Sequence, residues 1–353
     1  MLGNRRKERA QIGKSSSSDK EEHIRICLER NVESFQTTGL ENYYLVNNPL
    51  PEIDFDEVDT SCSFLGKRIS APIIISPMTG GCSLARKINR NLALAAQELG
   101  VVMSVGSQRL GIEDPSLSHT YEVRDVAPEI PLLANLGAVY LNYGYGIEQC
   151  EKAVEMIGAD ALILYLNPMQ KVFQKKKDLS FGGIVKRIAF ICENLSVPVI
   201  VKEVGFGLSG EAAKILRDIG VSMIDVAGAG GTSWVKITRI LNGESSEDSS
   251  SYFDSWGIPT ADALISVLEA VKDIPIIASG GIRSGLQVAK AIALGADYVG
   301  MALPFLEPAM ESGKAVEKKI GSVIWELKAA MFCCGARDLD ELRRGGYIKR
   351  VNC

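Results

Sequence analysis

Only two histidines occur in 353 residues, His23 and His119. A metal centre built on several imidazoles is therefore excluded, and proton transfer has few of the usual protein bases to use, so a cofactor is expected to supply it. The residues whose types and spacing can do chemistry lie elsewhere. In Ser279-Gly280-Gly281-Ile282-Arg283-Ser284-Gly285 two adjacent glycines let backbone amides approach an anion. The helix that follows points its positive end at that anion, and Arg283 can add a charge-assisted bond. Gly228-Ala229-Gly230-Gly231-Thr232-Ser233 is a second turn of the same kind. Lys202 ends the apolar run Val199-Ile200-Val201, where an ammonium is costly to bury unless it faces a ligand or pairs with Glu203 or another carboxylate. Other apolar runs end in Ser76-Pro77-Met78-Thr79, Ser107-Gln108-Arg109, Asn135, Asn167 with Gln170, and Gly300-Met301-Ala302. Such a set could hold a phosphate at one end of a flat polar ring and place a cation under the other.

These residues need a frame that brings distant segments together. From residue 71 onward, short apolar runs recur at 72–76, 101–106, 132–137, 161–167, 198–205, 223–230, 275–281 and 298–302. They lack polar alternation, as strands buried on both faces of a parallel sheet do. Helical patterns separate them at 85–99, 146–157, 181–194, 209–219, 260–271 and 284–294, and several stop at a glycine before the next strand: Gly100, Gly158, Gly220 and Gly295. Eight β-then-α units predict one α/β domain, a (β/α)8 TIM barrel, rather than a doubly wound sheet. Reactive groups of such a barrel sit at the C-terminal strand ends, where every segment named above falls. Residues 1–20 are polar, include the run Ser15–Ser18, and are expected to form a flexible arm. A helix is expected next over 23–34, with Ile24, Cys27 and Leu28 on one face. Residues 315–331 read as a closing helix. Between the sixth and seventh strands a polar insertion at about 235–258 reads as a surface loop or lid. Trp234 and Trp256 bracket it, and either wall the pocket or pack in the core.

Composition narrows the function classes. Lys and Arg number 39 against 43 Asp and Glu, a net charge of −4, so no basic excess exists to neutralise nucleic-acid phosphates. Hydrophobic residues make up 46% and charged residues 23%, which excludes a disordered or coiled-coil chain. No apolar run reaches the ~18 residues of a membrane span. The charged start Arg5-Arg6-Lys7-Glu8-Arg9 is not followed by an apolar signal core, so a cytoplasmic location is expected. The eight cysteines are scattered without a C-x-x-C pair and read as unreactive thiols in a reducing compartment. His119, after Asp114-Pro115, is expected at the surface or as a cap.

FMN suits this frame, with its phosphate at the seventh and eighth strand ends and its ring across the barrel mouth. Lys202 would offset negative charge developing at the N1/O2 edge of the reduced flavin. The cofactor-facing set is then Ser76, Met78, Thr79, Ser107, Asn135, Lys202, Thr232, Gly280, Gly281, Arg283, Met301 and Ala302. From about residue 19 to 340 the chain resembles the type 2, FMN-dependent isopentenyl-diphosphate isomerase family. The resemblance is carried by Met78-Thr79-Gly80-Gly81, Val105-Gly106-Ser107-Gln108-Arg109, Asn135-Leu136-Gly137-Ala138 and Leu166-Asn167-Pro168-x-Gln170. Further matches are Val201-Lys202-Glu203-Val204-Gly205-Phe206-Gly207, residues 225–234, Trp256-Gly257-Ile258-Pro259-Thr260 and residues 278–285. It implies interconversion of isopentenyl and dimethylallyl diphosphates through protons moved at a reduced flavin, NAD(P)H as reductant, Mg2+ on the diphosphate, and a homo-oligomer. It assigns Gln170 a place beside the flavin, positioning substrate, and gives Lys20, His23, Arg109, Asn167 and Gln170 to substrate binding.

The chain departs from the family on the substrate side. Where the family motif reads His-Leu-Asn-Pro-x-Gln-Glu, this chain has Tyr165-Leu166-Asn167-Pro168-Met169-Gln170-Lys171. The family Glu binds Mg2+, and a charged ammonium has no lone pair to offer. Mg2+ is therefore not expected at this position, and Lys171 is expected to pair with Asp19 or to touch an anionic substrate directly. Asp19 stands where the family's N-terminal Arg-Lys-x-x-His motif begins with Arg. Lys175, Lys176 and Lys177 add charge nearby or form a solvated loop. Three readings remain: the family isomerase, an FMN-dependent enzyme or oxidoreductase acting on a different anion, and a flavin-binding protein without catalysis.

Overall fold

The computed structural model describes residues 17–174, 179–244 and 249–351. Eight parallel strands close into a barrel: β1 Ile73–Ile75, β2 Val102–Ser104, β3 Leu132–Gly137, β4 Ala161–Tyr165, β5 Val199–Lys202, β6 Met223–Asp225, β7 Ile276–Ser279 and β8 Tyr298–Met301. Each pairs with its neighbours in chain order, and β8 returns to β1 through Val299–Ile73, Gly300–Ile74 and Met301–Ile75. All eight lie within the apolar runs named above, and their residues are buried on both faces except at Tyr165. Strands without a polar face can sit nowhere else.

The helices are α1 Ser17–Glu29, α2 Ser83–Leu99, α3 Arg109–Glu113, α4 Ile147–Ile157, α5 Pro168–Phe173, α6 Ile184–Asn194 and α7 Gly210–Asp218. They continue with α8 Trp234–Asn242, α9 Thr260–Ala270, α10 Gly285–Leu294, α11 Leu303–Glu311, α12 Gly313–Cys334 and α13 Leu339–Arg344. The closing helix α12 buries Val316, Ile320, Val323, Leu327 and Met331, a stripe at three- and four-residue spacing that packs on α2 and α10. Each such side chain stabilises the fold by roughly 1.5–3 kcal/mol. Helices α2 and α4 stop at Gly100 and Gly158, whose φ values of 60° and 57° leave the chain free to turn into the next strand.

The barrel interior holds Ile74, Val102, Leu133, Ile163, Ile200, Met223 and Ile277. Its N-terminal end is closed by an antiparallel hairpin, Cys62–Phe64 with Lys67–Ile69. Phe64 is fully buried there, edge-on to Tyr298 with 4.9 Å between ring centroids. Lys67 pairs with Asp160 at 2.6 Å below β4. With that end plugged, the opposite end is where a ligand can enter.

Three expectations are corrected. The arm was bounded at residue 20, but α1 begins at Ser17, so residues 17–20 are helical; residues 1–16, including Ser15 and Ser16, lie outside the described residues. The helix ends at Glu29 rather than near 34, because the chain beyond it runs extended alongside the turn after β6. Ser34 donates its amide to Gly231 O at 2.7 Å, and Ser233 donates to Val32 O at 2.8 Å. The insertion at 235–258 is not one structureless loop. It contains α8 and a short 3-10 turn, Ser249–Ser255, and α8 is tied down by buried Arg239, which pairs with Asp254 at 2.7 Å and donates to Ser250 Oγ at 2.8 Å. Residues 245–248 lie outside the described residues.

Candidate active site

A cavity of about 730 Å³ opens at the C-terminal end of the barrel. Each cofactor-facing residue expected from the sequence lines it: Ser76, Met78 and Thr79 after β1, Ser107 after β2, Asn135 on β3, Lys202 on β5, Thr232 after β6, Gly280, Gly281 and Arg283 after β7, and Met301 and Ala302 at β8. So do Lys20 and His23 from α1, Arg109 from α3, Asn167, and Gln170 and Lys171 from α5. The fold therefore brings together side chains from positions 20 to 302. Of the bracketing tryptophans, Trp234 lines the cavity, whereas Trp256 is 55% exposed and does not.

The turns after β6 and β7 are glycine-rich because they pack on each other. Gly280 has φ 103°, and a Cβ there would run into the carbonyl oxygen of Gly228; a Cβ on Gly231 would meet the Gly281 amide. Gly280 and Gly281 also line the cavity, where backbone without a side chain can be approached by an anion. Arg283 reaches Glu33 Oε1 at 3.3 Å.

Lys202 Nζ lies 3.6 Å from Asp225 Oδ2 and donates to Glu203 O at 2.6 Å. Asp225 also accepts from Ser279 Oγ at 2.5 Å. Lys202 thus both faces the cavity and belongs to a buried ion pair, with Asp225 rather than Glu203 as the carboxylate. Glu203 instead accepts the amides of Val204, Gly205 and Phe206 at 2.6, 2.8 and 2.5 Å and so fixes the turn after β5. Burial pushes its carboxyl up to about 7 against the pull of those amides.

Beside the barrel rim lies a cluster of cations. Lys171, 3% exposed, donates to Tyr140 Oη at 3.0 Å with its ammonium 4.8 Å from that ring's centroid. The Arg109 guanidinium lies 5.2 Å from the same centroid and donates twice to Glu113, both at 2.8 Å. Burial, then the Arg109 charge, lowers the Lys20 ammonium to about 8. Burial beside the edge of Trp234 lowers His23 to about 4, so its ring is neutral at pH 7. Gln170 Oε1 accepts from Asn167 Nδ2 at 2.8 Å, which fixes the glutamine's orientation. Tyr165 Oη approaches Ser107 Oγ at 3.4 Å.

Tyr140 was not found from the sequence: it sits in a 3-10 turn, Ala138–Asn142, that carries no periodic signal. Thr238, Leu241 and Asn242, also on the cavity wall, lie on a helix read as loop. Lys175, Lys176 and Lys177 fall outside the described residues. His119 lies in the turn Pro115–Thr120, its Nδ1 2.8 Å from Ser116 O, away from the cavity.

A plugged (β/α)8 barrel with glycine-rich turns at its open end defines the architectural class, and the comparisons place the chain within it. Residues 14–114 and 166–349 match the FMN-dependent dehydrogenase family. An isopentenyl-diphosphate delta-isomerase from Nostoc sp. is 46% identical over 342 residues, 95% of this chain and 97% of that protein. The protein of the same name from Rickettsia bellii is 48% identical over 327 residues, covering 92% and 95%. A flavocytochrome b2 variant with sulfite bound superposes with a TM-score of 0.68 at 19% identity, over 93% of this chain and 82% of that one, a likeness of fold. The chain belongs to the FMN-dependent dehydrogenase family and, within it, to the isopentenyl-diphosphate delta-isomerases.

FMN fits this cavity. Ser76 Oγ, Thr79 Oγ1, Asn135 Oδ1 and Asn167 Oδ1 are buried on its wall without a hydrogen-bond partner from the protein, and buried polar atoms of this kind call for one. At position 171, where the family resemblance implies a Mg2+ ligand, the cavity wall carries Lys171, whose charged ammonium offers no lone pair to a metal.

Proposed function

We propose that this protein interconverts isopentenyl and dimethylallyl diphosphates with FMN, in the reduced form, as its cofactor. One observation carries the reading: a single cavity is lined by two separate sets of groups suited to anions, the glycine turns after β6 and β7 and the cations of α1, α3 and α5. The first suits the flavin phosphate and the second the substrate diphosphate. Bound reduced FMN supplies the proton donor and acceptor for an allylic shift without net redox change. Gly280, Gly281, Thr232 and Arg283 would hold its phosphate end, and Ser76, Thr79, Ser107 and Asn135 would offer polar partners to its ring, with Met78, Met301 and Ala302 as apolar lining. Lys202 places an ammonium at the edge where charge develops. Gln170, fixed by Asn167, positions the substrate's hydrocarbon end. Lys20, Arg109 and Lys171 bind its diphosphate, and neutral His23 adds a hydrogen bond. NAD(P)H reduction of the flavin, a homo-oligomer and a cytoplasmic location belong to the same proposal; among the described residues no helix is long and apolar enough to cross a membrane.

The buried ammonium of Lys171 favours a second reading, in which the same flavin site serves a different anion. Anaerobic reduction of the bound flavin followed by isopentenyl diphosphate separates the two. Dimethylallyl diphosphate formed over many turnovers supports the first. No product, together with flavin reoxidation by an added acceptor, selects the second.

A further inference from the structure

We propose that Lys171, braced on Tyr140 and joined by Arg109 and Lys20, is a built-in replacement for a divalent cation, so that the enzyme binds a diphosphate without metal. The inference deepens the reading above by specifying how its anion is held.

Three observations support it. First, Lys171 is a buried side chain positioned by its protein surroundings: its Nζ donates to Tyr140 Oη at 3.0 Å and stands over the same ring that Arg109 faces. Two cations near one aromatic ring at the wall of a cavity repel each other, and a multiply charged anion bound in that cavity relieves the repulsion. Second, the cations gather on one side of the cavity: Lys20, Arg109 and Lys171 all line it, as does Asp19, while Arg109 pairs with Glu113 and His23 stays neutral. Third, the substitution conserves charge. A carboxylate plus a divalent cation carries one net positive charge, and so does a single ammonium. An ammonium is also a charge-assisted donor to phosphate oxygens.

The test uses the FMN-loaded enzyme and inorganic pyrophosphate in a titration calorimeter, with excess chelator and then with excess Mg2+. The expected result is equal affinity in both, and loss of about 10- to 100-fold on Lys171→Met, the range for one charge-assisted bond removed. Lys171→Arg should keep most of the affinity. Tyr140→Phe, which removes only the bracing hydroxyl, should weaken it less than Lys171→Met and covers the case in which the methionine variant does not fold. Lys171→Glu should bind only when Mg2+ is added. Binding by the wild type that requires Mg2+, binding unaffected by either Lys171→Met or Tyr140→Phe, or no pyrophosphate binding at all would overturn the proposal. Turnover of isopentenyl diphosphate by the reduced enzyme, measured separately, decides the isomerase reading whichever way the titration falls.

Discussion

Lys202→Met tests whether the strand β5 ammonium is held by the protein before any ligand arrives. Its Nζ lies 3.6 Å from Asp225 Oδ2, and the two side chains are 10% and 6% accessible. At an effective dielectric of about 20 that separation corresponds to about 4 to 5 kcal/mol of attraction. Methionine leaves Asp225 as a buried carboxylate with only Ser279 Oγ and the Ala227 amide as donors, at 2.5 and 3.2 Å. The expected net loss is about 3 to 5 kcal/mol, the usual cost of breaking a buried pair. At about 2.1 cal/mol/K per residue, the 353-residue chain should melt about 4 to 7 °C lower, followed by circular dichroism on flavin-free protein. Lys202→Met with Asp225→Asn, which removes both charges, should recover more than half of the loss. A single variant melting within about 1 °C of wild type, or a double variant no better than the single, would refute the coupling.

Further predictions follow from the same geometry. His23 is lowered from 6.5 to about 4 by burial, so the unfolded chain takes its proton first as pH falls. Stability from this group is complete above pH 6.5 and declines by about 3 kcal/mol between 6.5 and 4; His23→Gln should flatten that part of a urea-denaturation pH series, and an unchanged slope would contradict it. Lys20 has its ammonium lowered to about 8, so pyrophosphate affinity should fall as pH rises through that value, whereas Lys20→Arg should hold its affinity to pH 9.5 or so. Gly280→Ala forces a Cβ against the Gly228 carbonyl at φ 103°, and should lower the flavin retained through gel filtration at least about tenfold; full retention would show that the turn is not the phosphate cradle.

The barrel was legible because its strands have only one environment. Runs such as Ile73–Ile75 and Val199–Lys202 are apolar on both faces, and no arrangement but a helix-wrapped parallel sheet buries both. The cavity wall was legible for a related reason: strand ends in such a barrel have fixed places, so Ser76, Asn135, Lys202 and Gly280 could be placed at the cavity by counting strands. The substrate side was less so. Helix α1 buries Ile24 and Ile26, which lie two apart and on different clusters, because it is wedged between α8 on one side and α2 and α11 on the other. A one-faced amphipathic pattern does not describe a helix with two covered faces. Tyr140 acts through a turn whose position depends on tertiary packing, and the ordered part of the insertion depends on the Arg239–Asp254 pair, a contact between residues with no periodic relation.

The order in which the chain is made bears on how this site matures. Lys20 and His23 leave the ribosome among the first described residues, yet α1 rests on α8, and the chain just past it runs beside the turn after β6, about two hundred residues later in synthesis. Contacts so far apart in sequence are slow to form. Closing β8 onto β1 spans a comparable separation, Val299 beside Ile73, so the barrel and the α1 contacts both wait for the second half of the chain. A cavity whose wall joins Lys20 to Ala302 is therefore complete only when both ends of the described chain have met.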